Sequence, residues 1–324
     1  MSLHPSLAAV RAGVRRAVAD LEPGATLLVA CSGGADSLAL LAAAVFEGHK
    51  ASHRVVGVTV DHGLQEGSAG RAEAVATQMR SLGVDESAVA TVTVDAPGIG
   101  PEAAAREARY GVLGELAERF GAELVLLGHT LDDQAETVLL GLARGSGARS
   151  LAGMRPQFDR FRRPLLAVSR TDTETACTVD GIEWWTDPHN SDPRFARSRV
   201  RTVVLPTLEH ELGPGVTAAL ARTADLLRED AEALDNEAAR QLEGVRAERG
   251  LDIGALERLD AAIRHRVVRQ ASIAAGAIAS ELTREHVVAV DGILRATGKE
   301  IQLPGHLTAY REDTLLRFRP TRPQ

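Results

Sequence analysis

Residues 128–137 read Gly-His-Thr-Leu-Asp-Asp-Gln-Ala-Glu-Thr. On a helix, His129, Asp132, Asp133 and Glu136 stand at i, i+3, i+4 and i+7, hence on one face. Three carboxylates there repel one another, and a helix N-terminus offsets only ~0.3–1 kcal/mol for each. Such a group suits a cation, either a metal or an amine; the plain alternative is a solvated acidic first turn. Upstream, Ser32-Gly33-Gly34-Ala35-Asp36-Ser37 follows an apolar run. Two glycines let the backbone turn tightly and aim several N–H groups at an anion, with the Ser32 and Ser37 hydroxyls as further donors. Asp36 would repel a bare phosphate, which suggests a bridging Mg²⁺. The alternative is an ordinary strand-to-helix turn with Asp36 as its cap. Asp61-His62-Gly63-Leu64 ends a second apolar run, where a side chain reaches the nucleoside of a bound nucleotide.

Arginines cluster around these segments: Arg106 and Arg109, then Arg144, then Arg162-Arg163, then Arg194, Arg197, Arg199 and Arg201. Arginine at this density suits phosphate clamping or an RNA backbone. A preference for arginine over lysine throughout the chain explains the residue type but not the clustering. Only Lys50 and Lys299 are lysines, and neither precedes Ser or Thr, which excludes a Walker-type phosphate loop. Two cysteines, Cys31 and Cys177, are too few for a zinc ribbon or an iron–sulfur cluster within the chain.

The elements that must position these groups follow from pattern. Thr26–Cys31, Val55–Val60, Val89–Val94 and Glu123–Gly128 are short apolar runs ended by turn residues, and read as buried parallel strands. Helical patterns over Ser37–Gly48, Ser68–Leu82 and Pro101–Phe120 alternate with them. This predicts an α/β, Rossmann-like nucleotide-binding domain over residues 1–205, with ligands at the carboxyl ends of its strands. From about Pro206 the pattern becomes mainly helical, over 215–249, Ala255–Ala274 and Arg284–Ala296, with a small hairpin in Glu300–Arg319. That gives a second domain over 206–324. The N-terminus has no signal-peptide core, and the longest apolar run, Leu38–Phe46, is too short to span a bilayer. The expectation is a cytoplasmic protein without membrane contact, its oligomeric state open and a homodimer among the options.

These motifs, in this order from about Leu27 to Leu208, resemble the tRNA(Ile)-lysidine synthase family of the N-type ATP pyrophosphatase (PP-loop) superfamily. SGGADS carries the superfamily resemblance. GHTLDDQAETVLL with RGSG carries the family, supported by DHGL, AREARY, LAGM, RRPLL and WTDPHNSD. The resemblance implies that ATP adenylates the C2 carbonyl oxygen of the wobble cytidine in tRNA(Ile) with a CAU anticodon, releasing pyrophosphate. The ε-amine of free L-lysine then displaces AMP to give lysidine. It further implies Ser32, Gly33, Gly34, Asp36, Ser37, Asp61, His62, Arg106, Gly128 and His129 at ATP, with Asp36 on Mg²⁺. Asp133 would be the base, Asp132 and Glu136 would bind the amine or a metal, and Arg109 would contact the phosphates or the transition state. Arg144, Arg197 and Arg201 would hold lysine or tRNA, and the helical second domain would bind tRNA. The chain departs from the family pattern at Gln65 and Ser198, and resembles its short-tailed form. Two other readings compete: a tRNA thiolation enzyme of the same superfamily, which needs catalytic cysteines, and a nucleotide-binding module without catalysis, which does not need the aligned carboxylates.

The net charge of −7 fits the first reading. Residues 1–150 hold 12 basic and 18 acidic residues, residues 151–210 hold 9 and 8, and residues 211–324 hold 16 and 18. The excess therefore lies largely in the half with the carboxylate motif. That excludes a non-specific electrostatic RNA binder and leaves binding to local arginines and shape.

Overall fold

The computed structural model describes residues 3–61, 67–92, 101–145, 147–187, 192–296 and 298–321, the stretch 101–107 as backbone alone. By contacts the chain divides into two units, Met1–Gly145 with Gly153–Ala224, and Ser146–Ala152 with Asp225–Gln324.

In the first unit, α1 (Pro5–Ala17) precedes β1 (Thr26–Ala30), α2 (Ala35–Lys50), β2 (Arg54–Asp61), α3 (Ser68–Ser81), β3 (Glu86–Thr91), α4 (Pro101–Phe120), β4 (Leu124–Leu127) and α5 (Leu131–Ala143). The strands pair in parallel in the order β3-β2-β1-β4. Two short strands, β5 (Gln157–Phe158) and β6 (Phe161–Arg162), extend the sheet past β4. After them come α7 (Arg170–Val179), α8 (Ala196–Arg199), a π turn over Val200–Val204, and α9 (Leu205–Leu212); α6 (Ala148–Leu151) belongs to the second unit.

The central strands are apolar throughout because helices cover both faces. Leu27 and Val29 of β1, with Leu124 and Leu126 of β4, join one core with α1, α2, α3 and α7. Leu28, Val125 and Leu127 point the other way, into a core with Leu113 and Ala117 of α4. The edge strand β3 begins at Glu86 rather than at Val89 as the apolar pattern suggested. Its pairing with β2, Val56 to Glu86 through Asp61 to Thr91, fixes the register, and an edge tolerates the polar Glu86 and Ser87. Strand order reverses between β1 and β4, so the loops after these two strands open into one crevice, where ligands of such sheets bind.

In the second unit, α10 (Val216–Val245) contributes Ala238, Leu242 and Val245 to a core with α11 (Ile253–Glu257), α12 (Ala261–Ala274) and α13 (Arg284–Ile293). The single helix expected over Ala255–Ala274 is two, because Asp260 takes extended backbone as the cap of α12. The terminal hairpin is present and is wider than the pattern suggested. β9 (Glu300–Leu303), β10 (Leu307–Glu312) and β11 (Leu315–Pro320) pair antiparallel, and β8 (Gly250–Asp252) and β7 (Arg246–Ala247) continue the sheet beyond β11. Among the described residues no helix is long and apolar enough to cross a membrane.

Candidate active site

The turn after β1 is built on Gly33, whose φ of +83° is left-handed backbone that a side chain would strain. Gly34 then caps α2 in extended conformation. The Ser37 hydroxyl is committed inside this turn. It accepts from the Ser32 backbone N–H at 3.1 Å and donates to the Gly34 carbonyl at 2.9 Å, so it braces the loop. The Gly33 carbonyl accepts from the Trp185 N–H at 3.0 Å, which ties the segment after α7 to the same turn.

Asp36 lies in the first turn of α2 and is mostly buried. The Thr173 hydroxyl, within 2.7 Å of the Arg170 carbonyl, also donates to Asp36 Oδ1. Arg170 Nε stands 3.5 Å from Asp36 Oδ2. Burial pushes this carboxyl up to about 6 despite the Thr173 hydroxyl and the nearby arginines.

Gly128 follows β4 where the strand passes the start of α2. A Cβ there would come within 3.1 Å of the Asp36 carbonyl oxygen and the Ser37 Cα, so any side chain would push the start of α2 back by a few tenths of an ångström. His129 lies before the helix, not on it, because Thr130 is the cap of α5. The expected four-residue helical face is therefore three carboxylates. Asp133 closes a capping box, its Oδ2 accepting from the Thr130 N–H at 2.9 Å. Asp132 reaches α7 instead, its Oδ2 accepting from the Arg170 backbone N–H at 2.7 Å. The N-termini of α2, α5 and α7 thus meet at one place, and each favours an anion.

The cation these carboxylates call for is present as arginine. Arg201 Nε donates to Glu136 Oε1 at 2.7 Å, and its Nη2 to Glu136 Oε2 at 3.0 Å and to Asp133 Oδ1 at 3.1 Å. Arg170 Nη2 donates to the same Asp133 oxygen at 3.1 Å. Arg197 Nε lies 3.6 Å from Glu136 Oε2, and its Nη2 donates to the Thr137 hydroxyl at 3.1 Å. Burial alone would raise Asp133, but Arg170, the Thr130 N–H, His129 and Arg201 outweigh it and hold the carboxyl below its usual range.

The structure thus joins Asp36, Asp132, Asp133, Glu136, Arg197 and Arg201. Arg170 and Thr173, which complete the cluster, escaped the sequence reading. The available signal was Ser169-Arg170-Thr171-Asp172, a capping-box pattern that puts Arg170 at the head of a helix. Asp61 ends β2, half-buried, whereas His62 and Gln65 lie outside the described residues. Arg109 is exposed on α4; Arg106 is described by backbone alone. Arg144 caps the far end of α5, about 20 Å along the helix from Asp132. Two arginines grouped with the phosphate or RNA contacts are engaged within the fold. Arg162 pairs with Asp20 at 2.5 and 2.7 Å, and the buried Arg163 donates to the Tyr110 hydroxyl at 3.0 Å. Ser198 is buried between Arg197 and Arg199 on α8.

Both cysteines are buried. Burial pushes the Cys177 thiol up to about 12 and raises Cys31, the opposite of a reactive thiolate.

Residues 8–208 match the PP-loop domain family, and residues 251–319 match the TilS substrate binding domain. The tRNA(Ile)-lysidine synthase of Thermobifida fusca (strain YX) is 52% identical over 312 residues, covering 95% of this chain and 96% of the relative. That of Streptomyces coelicolor is 47% identical, covering 96% and 97%. Among solved structures, the U34-tRNA thiolase NcsA of Methanococcus maripaludis, with its [4Fe-4S] cluster, superposes with a TM-score of 0.57 at 18% identity, covering 69% of this chain and 80% of that one. That likeness is one of fold.

Proposed function

The chain belongs to the tRNA(Ile)-lysidine synthase family, and from that premise we propose that it ligates free L-lysine to C2 of the wobble cytidine of tRNA(Ile) with a CAU anticodon. The observation that carries the proposal is the junction of a phosphate-loop carboxylate, Asp36, with an amine-type carboxylate pair, Asp133 and Glu136, through Arg170, with Arg201 bridging the pair. Two half-reactions that share one cytidine C2 need such a junction.

In the first step the C2 carbonyl oxygen attacks the α-phosphorus of ATP and pyrophosphate leaves. The loop N–H groups at Gly33 and Gly34 and the meeting helix N-termini stabilise the leaving charge. Asp61 and His62 would lie at the nucleoside, with Arg106 and Arg109 at the phosphates. In the second step the lysine amine attacks C2 and AMP departs. An amine with a reference pKa near ~10.4 arrives as ammonium and must be bound, oriented and deprotonated. Asp133 and Glu136 would accept its N–H groups, and Asp133 would take the proton as the new C–N bond forms and the nitrogen loses its basicity. Arg197 and Arg201, with Arg144 further off, would hold the lysine carboxylate or the RNA backbone.

Mg²⁺ fits this site as a companion of the nucleotide. Among the described residues no group of three His, Cys, Asp or Glu could hold a resident ion. A magnesium ion brought by phosphates needs only one or two protein carboxylates. Asp36 suits it, a buried carboxylate whose raised pKa marks incomplete compensation. When bound, the ion would neutralise charge on the phosphates. The activity implies a cytoplasmic location, with its tRNA.

The test leaves out each substrate in turn. AMP and pyrophosphate should form only with tRNA(Ile) present, and lysidine should appear by mass spectrometry of the digested tRNA only when lysine is added. A thionucleoside formed without lysine would refute the proposal.

A further inference from the structure

Arg170 touches every carboxylate of the cluster. Its backbone N–H donates to Asp132 at 2.7 Å, and Nη2 donates to Asp133 Oδ1 at 3.1 Å. Nη1 lies 3.5 Å from Glu136 Oε1, and Nε lies 3.5 Å from Asp36 Oδ2. The backbone contact is fixed by the fold, because Arg170 opens α7 behind the Ser169 cap. The side-chain contacts are longer and divided, with Asp36 on the phosphate-loop side and Asp133 and Glu136 on α5. Arg201 holds Glu136 through two bonds of 2.7 and 3.0 Å.

The acceptor positions that an ammonium would need are engaged. Asp133 Oδ2 accepts from the Thr130 N–H and hydroxyl at 2.9 and 3.1 Å. Asp133 Oδ1 accepts from both Arg170 and Arg201 at 3.1 Å. Both Glu136 oxygens accept from Arg201. An ammonium carries three donors and no acceptor, so it enters this cluster in exchange for a guanidinium. Arg170 is the more loosely held of the two arginines. Its Nε already faces Asp36, on the side where the nucleotide phosphates belong, and guanidinium pairs strongly with phosphate.

We propose that Arg170 is a positioning residue that keeps the place of the incoming amine, leaving Asp133 and Glu136 for the phosphates when nucleotide binds. Lysine is then received only by the nucleotide-loaded enzyme, which orders the two half-reactions. The proposal rests on the lysidine-forming reading above.

The experiment is calorimetric titration of L-lysine into the full chain, with and without saturating α,β-methylene-ATP, which cannot be split between its α and β phosphates. For wild type, lysine should bind ~5–150-fold more tightly with the analogue, the usual range of coupling between two sites. In Arg170→Gln the coupling should fall to about twofold or less, because lysine affinity without the analogue rises. Arg170→Lys, which keeps a mobile cation, should restore part of the coupling. A merely structural role would instead weaken lysine binding in both states. Equal lysine affinity with and without the analogue in wild type would overturn the proposal. So would coupling retained in Arg170→Gln, or weaker binding in both of its states. Lysidine formation by the same wild-type preparation separates the two levels. Lysidine without coupling overturns the role of Arg170 alone, and no lysidine overturns the functional reading with it.

Discussion

Arg201 holds Glu136 with a two-pronged grip, Nε to Oε1 at 2.7 Å and Nη2 to Oε2 at 3.0 Å. The Glu136 side chain has no exposed surface, and that guanidinium is its nearest counter-charge. Arg201→Met leaves it to Arg170 at 3.5 Å and Arg197 at 3.6 Å. The expected loss is about 2–4 kcal/mol, at or below the ~3–5 kcal/mol for breaking an isolated buried pair. Urea unfolding at neutral pH measures it. Arg201→Met with Glu136→Leu should recover most of the loss, since the fully buried Glu136 charge goes with its guanidinium while Asp133 keeps Arg170 and the partly exposed Arg197 keeps the Thr137 hydroxyl. A double variant no more stable than the single one would show that the grip does not set the energetics.

Asp36 gives a pH dependence of definite sign. Burial raises its carboxyl to about 6 in the folded protein, above an unfolded value near 3.8. Between these values the folded state holds a proton that the unfolded chain has released. The stability this contributes is full below about pH 4, declines as pH rises through about 6, and stays lost above it. Asp36→Asn removes the ionisation. At pH 8 it should be more stable than wild type by on the order of 1–3 kcal/mol, and near pH 3.5 the two should match. Thermal unfolding at both pH values checks this. The same variant should release no pyrophosphate, so the stabilised protein is an inactive one.

Much of this site was legible in the sequence because its parts are local. The turn at Gly33 and Gly34, the apolar strands before it, and the acidic start of α5 each follow from residues within one short segment. Spacing alone puts His129 on the helical face, whereas Thr130 and Asp133 together set the cap one residue after it. What could not be read is what depends on contacts between distant segments. Arg170 meets Asp133 across 37 positions, and Thr173 meets Asp36 across 137. Arg162, which its neighbours in sequence mark as a ligand-binding residue, is held by Asp20, 142 positions away. No spacing rule carries such pairs.

The cysteines separate lysine ligation from sulfur transfer. Cys31 Sγ stands 3.7 Å from the Ser37 hydroxyl, and Cys177 Sγ donates to the Ala35 carbonyl at 3.5 Å. Both thiols are buried and raised, Cys177 to about 12, so neither is a nucleophile at neutral pH. Cys31→Ala with Cys177→Ala should therefore keep lysidine formation within about threefold of wild type, at a stability cost of about 1–2 kcal/mol for small lost contacts. Lysidine quantified in digested tRNA reads the first, and urea unfolding the second. Abolished synthesis in a folded double variant would reopen a thiol mechanism.

Gly128 tests whether the crevice between β1 and β4 must be this tight. An alanine Cβ would sit 3.1 Å from the Asp36 carbonyl oxygen and 3.1 Å from the Ser37 Cα, both backbone atoms that cannot turn aside. The start of α2 must then move by a few tenths of an ångström, shifting the phosphate loop and Asp36 relative to Thr173 and Arg170. Overpacking of this kind costs about 1–3 kcal/mol, and displacement of reacting groups costs far more in rate than in stability. Gly128→Ala should lower pyrophosphate release by about 10-fold while the protein stays folded at 25 °C. Gly70→Ala, on α3 with open space around its Cβ position, is the matched control and should lower neither. A Gly128→Ala enzyme with wild-type pyrophosphate release would show that the loop tolerates a wider crevice, and that the close packing of β4 against α2 serves the fold alone.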